Sequence, residues 1–344
     1  MNLSSLDAPL QQLRPTGVGS PHRHVVSRSL PLKVGTRGSP LALWQTRHFL
    51  SLINAVCPVM ADMPSPFEES VISTAGDREQ DKRLADIGGK GLFAKEIHEA
   101  LADGRVDFAV HSLKDLETEL PPGIVLACTL RREDSRDAIV LGPACHAACE
   151  DDPFACLPRG AMVGTASVRR QSQLLHARPD LSVEVIRGNV GSRLAKVRAE
   201  GGPQASLLAL AGLRRLGMAH EAGQVLDPEV MVPAACQGIV GVTVRADDVE
   251  LRELLSLIEC RQAAVAAQAE RALLAELDGS CRTPIGGHAR LLDEGQVELT
   301  GLVARADGSF LLKRRLRGAA ADAARMGREL GDSLRRDSPA DVFG

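Results

Sequence analysis

Four stretches of the 344-residue sequence set a glycine or small polar turn between an apolar run and a helical pattern, with a cation beside it. They are Gly35-Thr36-Arg37-Gly38-Ser39-Pro40, Gly88-Gly89-Lys90-Gly91, Gly164-Thr165-Ala166-Ser167-Val168-Arg169-Arg170 and Arg187-Gly188-Asn189-Val190-Gly191-Ser192-Arg193. Each can cradle an anion, because a helix N-terminus offers free N–H groups and the positive end of the helix dipole. Ser39 suits an N-cap and Pro40 the first helical position. Any one of them also matches an ordinary cap beside a solvated arginine. Together, Arg37, Arg169, Arg170, Arg187, Arg193 and Lys90 around one cleft predict a ligand rich in carboxylates or phosphates. A planar guanidinium grips such groups with about 1.5 to 3 kcal/mol per charged hydrogen bond. Nucleotide signatures are missing: Lys90 is followed by Gly91, and no Gly-x-Gly-x-x-Gly joins a strand to a helix. A polycarboxylate is the better expectation.

Val110-His111-Ser112-Leu113-Lys114-Asp115 places titratable groups directly after a strand, where open α/β sheets carry their ligand sites. Asp115 beside Lys114 can stay ionised and steady a developing cation or move a proton. It equally fits a helix cap, and His111 a structural histidine. Cys281 lies in the turn-rich Asp278-Gly279-Ser280-Cys281-Arg282-Thr283-Pro284-Ile285-Gly286-Gly287, where Arg282 lowers a thiol pKa and makes a nucleophile or a covalent attachment point. An inert thiol is the alternative. Cys145-His146, Cys149 and Cys156 match no standard spacing of zinc ligands, so no metal is expected.

The elements that must position these groups read as α/β from Leu32 onward. Candidate strands are Leu32 to Thr36, Val106 to Val110, Ile139 to Leu141, Val183 to Ile186, Ser206 to Leu210 and Val240 to Val244, and the alternation with helices predicts largely parallel sheets. Leu92, Phe93, Ile97, Ala100 and Leu101 recur at helical spacing, with Gly104 as a stop. Gly142 to Arg159 reads as a loop. The last third gives an Ala-rich helix from about Ala263 to Leu277, an alternating strand near Val297 to Val303 and a helix near Ala319 to Arg335, a small α+β unit. Residues 1–31 read as a disordered extension, with a transit peptide as the alternative.

Composition narrows the function further. A net charge of -3, 2% aromatic residues and no Tyr exclude a global basic field and a stacking platform, hence nucleic acid as a partner. No apolar run reaches the ~18 residues of a membrane span. Without a secretion signal the eight cysteines are expected as thiols in a reducing compartment, the cytoplasm.

The run Val34 to Gln45, then Ile87 to Phe93, then Val110 to Asp115 closely resembles porphobilinogen deaminases (hydroxymethylbilane synthases). The resemblance continues through Arg132-Glu133-Asp134, Thr165 to Arg170, Arg187 to Leu194, Ala209 to Leu216, Gln237-Gly238 and the Cys281 loop, collinear from about Leu32 to the C-terminus. It implies a transferase that condenses four porphobilinogen molecules head to tail, with loss of ammonia, into linear hydroxymethylbilane. It implies a covalent dipyrromethane primer on Cys281, with Lys90, Ser39, Thr165, Ser167, Arg169, Arg170, Arg187 and Gly188 around it. Asp115, with Lys114, becomes catalytic and stabilises the cationic methylene-pyrrolenine. Arg37, Arg169, Arg193, Phe93 and Gln237 face substrate, and Asp77 lies in a segment over the cleft.

The implied fold is α/β, two similar periplasmic-binding-protein-like α/β domains plus a small C-terminal α+β domain, in a monomer. Residues 32–132 with 236–257 form the first, 133–235 the second and 260–344 the third. Departures from the family pattern are Leu116-Glu117 after Lys114-Asp115 where Val-Pro is common, Asp86 for Lys, Ala166 for Ser, Cys236 for Gly, and no arginine around His220-Glu221-Ala222-Gly223. The competing expectations are a two-lobed, non-catalytic small-anion binder and a degenerate deaminase homologue that stalls in elongation.

Overall fold

A computed structural model describes residues 30–57, 60, 63, 65–79, 91–143, 145, 152–277 and 283–343. Strand β1 (Leu32–Thr36) buries Leu32 and Val34 and hands over to α1 (Pro40–Val56) through the expected cap, the Ser39 hydroxyl accepting from the Ala42 N–H. Strand β2 (Phe67–Val71), α2 (Lys95–Ala102), β3 (Phe108–Ser112) and β4 (Ile124–Thr129) follow. The chain then crosses into β5 (Asp137–Leu141), β6 (Met162–Gly164), α3 (Val168–Ala177), β7 (Ser182–Glu184), α4 (Val190–Arg198), β8 (Ala205–Ala209), α5 (Leu210–Arg215) and β9 (Gln224–Leu226). It returns as β10 (Val240–Arg245) and α6 (Val249–Ser256).

Two five-stranded sheets result, ordered β2-β1-β3-β10-β4 and β7-β6-β8-β5-β9. Position by position the orders correspond, and Val34-Gly35-Thr36 and Val163-Gly164-Thr165 end equivalent strands. The expectation of largely parallel sheets is corrected. In each sheet the pairings of the first three strands are parallel, and the fourth strand pairs antiparallel on both sides. The antiparallel strand is in each case one that has crossed over, β10 into the first sheet and β5 into the second. Two segments therefore connect the halves, the arrangement from which a hinged cleft is built.

The small unit stacks α7 (Arg261–Glu276) and α8 (Ala323–Arg336) on an antiparallel sheet of β11 (Ile285–Leu291), β12 (Gln296–Ala304) and β13 (Leu311–Ala319). The alanines expected to make a helix are here a packing device: Ala263, Ala266, Ala267 and Ala269 are buried, and Gly327 of α8 lies so close that a Cβ would collide with the Ala269 carbonyl. Leu113, Leu116 and Ile239 of the first unit share this core, so the end of β3 is packed against the small domain. Gly142 to Arg159 holds no helix or strand among its described residues, in keeping with a loop, and its Phe154, Cys156 and Leu157 belong to the core of the second sheet.

Candidate active site

Both five-stranded sheets turn the ends of β1, β3 and β6 toward one cavity of about 1570 Å³, well above the volume of a typical small-ligand pocket. Arg37, Arg169, Arg170, Arg187, Arg193, Arg215 and Lys114 line it, with Asp77, Asp115 and Glu117 among its acids. Of the residues singled out from sequence, Ser39, Ser167, Gly188, Phe93 and Gln237 also line it. Thr165 stands behind the wall: it is buried, and its hydroxyl accepts from the Ser167 N–H at 3.2 Å. Cys281 and Lys90 lie outside the described residues, as do Asp86, His146 and Cys149; Gly91 and Thr283, near the first two in sequence, line the cavity.

Lys114 and Asp115 form a short 3₁₀ turn, Leu113–Asp115, immediately after β3. The Asp115 side chain is 34% exposed and its Oδ2 is 3.9 Å from Arg37 Nη1. Arg37 itself is held in place from two sides. Its Nε donates to Asp77 Oδ1 and Oδ2 at 3.1 and 3.2 Å, and its guanidinium lies 4.3 Å above the Phe93 ring. Burial opposes the Asp77 charge, but Arg37 and the Thr74 hydrogen bonds outweigh it and keep the carboxyl below its ordinary range. Burial lowers the Lys114 pKa to about 8 against the pull of Asp115, and its Nζ donates to Gln237 Oε1 at 3.3 Å.

His111 is the structural histidine. It is buried, Nε2 is 2.9 Å from Thr243 Oγ1, and desolvation pushes its pKa down to about 3, so it is neutral at pH 7.

Sequence alone did not single out Asp137, the first residue of β5. It is fully buried and accepts from Arg169 Nη2 at 2.8 Å, Arg170 Nη2 at 2.7 Å and Gln237 Nε2 at 2.8 Å. Arg170 Nη1 goes on to the Leu207 carbonyl and Arg169 Nη1 to that of Val232. The two arginines expected to grip ligand carboxylates thus share a carboxylate of the protein, and their cavity-facing edges are what a ligand meets. A continuous polar chain runs Lys114, Gln237, Asp137, Arg169 and Arg170, linking the 3₁₀ turn of the first unit to the wall of the second.

Arg187 donates to the Gly76 carbonyl at 3.1 Å, and Arg193 Nε to that of Gly188 at 2.9 Å. Burial lowers the Arg193 pKa to about 10, still fully charged at pH 7. Gly188 has φ +113, and a Cβ there would collide with Ser192 Oγ, so glycine is required where α4 begins. Asn189 caps that helix, accepting from the Ser192 N–H at 2.9 Å.

Arg215 was also missed, although Leu213-Arg214-Arg215 follows β8 as the other cations follow their strands. It lines the cavity, donates to the Gly238 carbonyl at 2.7 Å and lies over Trp44. A cation on this wall is therefore supplied by Arg215 rather than by the His220 to Gly223 stretch, whose Glu221 instead pairs with Arg198 at 2.5 Å. Cys236, where the family pattern has glycine, holds φ +62, a conformation strained for any residue with a Cβ. Among the described residues no three His, Cys, Asp or Glu converge as a metal site.

The cavity's size and its excess of guanidiniums fit a dipyrromethane with its acetate and propionate groups, and leave room for further rings. Ser39, Ser167, Arg169, Arg170, Arg187 and Gly188 stand on the wall that would hold it.

A profile described as porphobilinogen deaminase, dipyrromethane cofactor-binding domain, matches residues 32–253, and one described as the C-terminal domain of the same enzyme matches residues 264–336. The chain is 46% identical over 313 residues to the porphobilinogen deaminase of Paracoccus denitrificans, covering 91% of this chain and 96% of that one. It is 44% identical to that of Nitratidesulfovibrio vulgaris Miyazaki F (91% and 95%), and 46% identical to that of Caulobacter vibrioides NA1000 (84% and 88%). Among solved structures, substrate-binding domain 2 of Lactococcus lactis GlnP aligns with a TM-score of 0.37 at 10% identity, over 70% of this chain and 90% of that one.

Proposed function

The chain belongs to the porphobilinogen deaminase family, and from that premise we propose how its own residues carry the reaction. It is a transferase that condenses porphobilinogen, with loss of ammonia, into hydroxymethylbilane on a dipyrromethane primer. The observation that carries the residue assignment is the placement of Asp115 in an arginine-rich cavity, with Arg37 Nη1 3.9 Å from its carboxylate. When bound, dipyrromethane supplies the free pyrrole carbon to which the first substrate is joined.

Asp115 accepts the pyrrole N–H of incoming porphobilinogen and offsets the positive charge that grows as the carbon–nitrogen bond to ammonia breaks. Arg37, kept in position by Asp77 and Phe93, takes a substrate carboxylate beside Asp115. Arg193 and Arg215 take carboxylates deeper along the wall, and Ser39, Ser167, Arg169, Arg170 and Arg187 hold the primer. Cys281 is its attachment point, with Lys90 nearby. A tethered chain makes each condensation local, which converts binding into rate. The domain division at about 132, 236 and 257 belongs to the same proposal, as do a monomeric state and a cytoplasmic location. Free buried thiols at Cys57, Cys128 and Cys156 suit a reducing compartment, and no helix among the described residues is long and apolar enough to cross a membrane.

The test is the denatured intact mass of the purified chain and of Cys281→Ser, before and after porphobilinogen. The expected result is a two-pyrrole adduct on the wild type alone, growing in single-pyrrole steps with substrate. A wild-type mass that stays bare and never changes would point to the small-anion binder, and adducts that accumulate without free product to the stalled homologue.

Lys114 gives a pH prediction. Its folded-state pKa of about 8, down from 10.5, means that the proton is held below about pH 8 and lost above it. The cavity then loses one positive charge, and kcat/KM is expected to fall with an alkaline limb near pH 8. Lys114→Arg, whose guanidinium stays charged, is expected to move that limb upward by at least about one pH unit in a pH-rate profile. An unmoved limb would assign it to another group.

A further inference from the structure

The turn bearing Asp115 leaves the sheet at Ser112, yet the backbone beyond it is gathered by one side chain from another domain. Arg271 of α7 donates to the carbonyls of Glu117 at 2.8 Å and Thr118 at 3.0 Å, with Leu116 O at 3.5 Å. Leu113 and Leu116, on either side of Lys114-Asp115, are buried in the core that α7 shares with the small sheet.

The neighbouring residue on the helix, Glu270, is fully buried and anchors α7 in turn. It accepts from Arg132 Nη1 at 2.5 Å, from the Cys236 N–H at 2.5 Å and from the Ala289 N–H at 2.6 Å. Arg132 and Cys236 belong to the two crossing segments, and Ala289 to β11. Consecutive residues of one helix therefore tie together both crossings, the small sheet and the catalytic turn. Arg271 is absent from the cavity lining, so it acts through the turn rather than on substrate.

We propose that Arg271 is a positioning residue that fixes the Asp115 turn to α7, and so sets the catalytic carboxylate relative to the small domain. This rests on the reading of Asp115 as the catalytic carboxylate. The structure gives the turn a second hold, since the Leu113 N–H donates to the Ile239 carbonyl at 3.0 Å and Leu113 and Leu116 are both buried. Loss of Arg271 therefore loosens the turn without releasing it. A displacement of about 1 Å at a reacting group can cost on the order of a hundredfold in rate. Because Asp115 serves every condensation, the loss falls equally on all of them.

The experiment uses the full-length, primer-bearing enzyme. Arg271→Ala and Arg271→Lys are compared with wild type by unfolding midpoint, by steady-state kcat and KM for porphobilinogen, and by intact mass at successive times after substrate addition. The expected result is a kcat lowered about ten- to a hundredfold in Arg271→Ala and less in Arg271→Lys, with KM within about threefold. Every single-pyrrole step is slowed by a similar factor.

Should Arg271→Ala fail to fold, Arg271→Lys with a near-native midpoint and a reduced kcat supports the assignment. A folded variant with wild-type kcat overturns it, as does a defect confined to KM or to one elongation step. If wild type itself builds no ladder of pyrrole adducts, the reading of Asp115 fails; if wild type does and Arg271→Ala matches it, only the role of Arg271 fails.

Discussion

Asp115→Asn is expected to fold, to carry the primer and to turn over about a hundred- to a thousandfold more slowly than wild type. The substitution keeps the shape of the side chain and removes its charge. In the cavity Asp115 is partly shielded, 34% exposed, with Arg37 as its near cation at 3.9 Å. A unit charge about 4 Å from a developing cation is worth about 4 kcal/mol at an effective dielectric of 20 and about 1 kcal/mol in water. The site lies between these limits, and a loss of about 3 to 4 kcal/mol corresponds to the stated range. The primer is made once per chain, so a slow variant still acquires it.

Folding survives because Leu113 and Leu116 anchor the turn in the core whatever the headgroup at 115. The measurements are steady-state kcat, the unfolding midpoint and intact mass on one preparation. A folded, primed Asp115→Asn at wild-type kcat would remove Asp115 from the chemistry.

How much of this could be read in advance follows the range of the interactions. Caps and turns are local, and Ser39, Ser167 and Gly188 stand where their neighbours require them. Direction in a sheet is not local. Nothing in the apolar runs of β5 or β10 records that each has crossed from the other half of the chain, and so the antiparallel pairings were invisible. The three-residue strand β9 and the edge strand β2, with its Glu68-Glu69-Ser70 centre, carry too little pattern to register.

The same limit applies to the site. The arginines after β6 announce an anion, but their nearest one is Asp137, more than thirty residues earlier in an unremarkable strand start. Lys90 and Cys281 lie outside the described residues, and their roles rest on the motifs around them in the sequence.

Asp137→Ala is expected to be the most destabilising single change of those considered, by about 3 to 5 kcal/mol. The wild-type carboxylate is completely buried, and so, nearly, are the two guanidiniums it neutralises, each side chain 6% exposed. Burial alone would raise its pKa, yet Arg169, Arg170 and Gln237 hold it well below the ordinary carboxylate range. The Asp137 proton is therefore bound less readily in the folded than in the unfolded chain. Its stabilisation is complete above the unfolded pKa near 4 and is lost only as pH falls through the folded value.

Removing it leaves two buried cations facing each other across a cavity, which costs more than the hydrogen bonds alone. Gln237 loses one partner too but keeps the Ser135 carbonyl at 2.8 Å, so its Oε1 still accepts from Lys114. Asp137→Asn restores the volume but turns an amide N–H toward one guanidinium, and is expected to recover little. Thermal unfolding should show a midpoint lowered by roughly 4 to 7 °C, a difference from wild type that stays constant between pH 5 and 8. A midpoint within a degree or two of wild type would mean that the arginines rearrange to find other partners, and that their pairing with Asp137 does not hold the wall of the cleft.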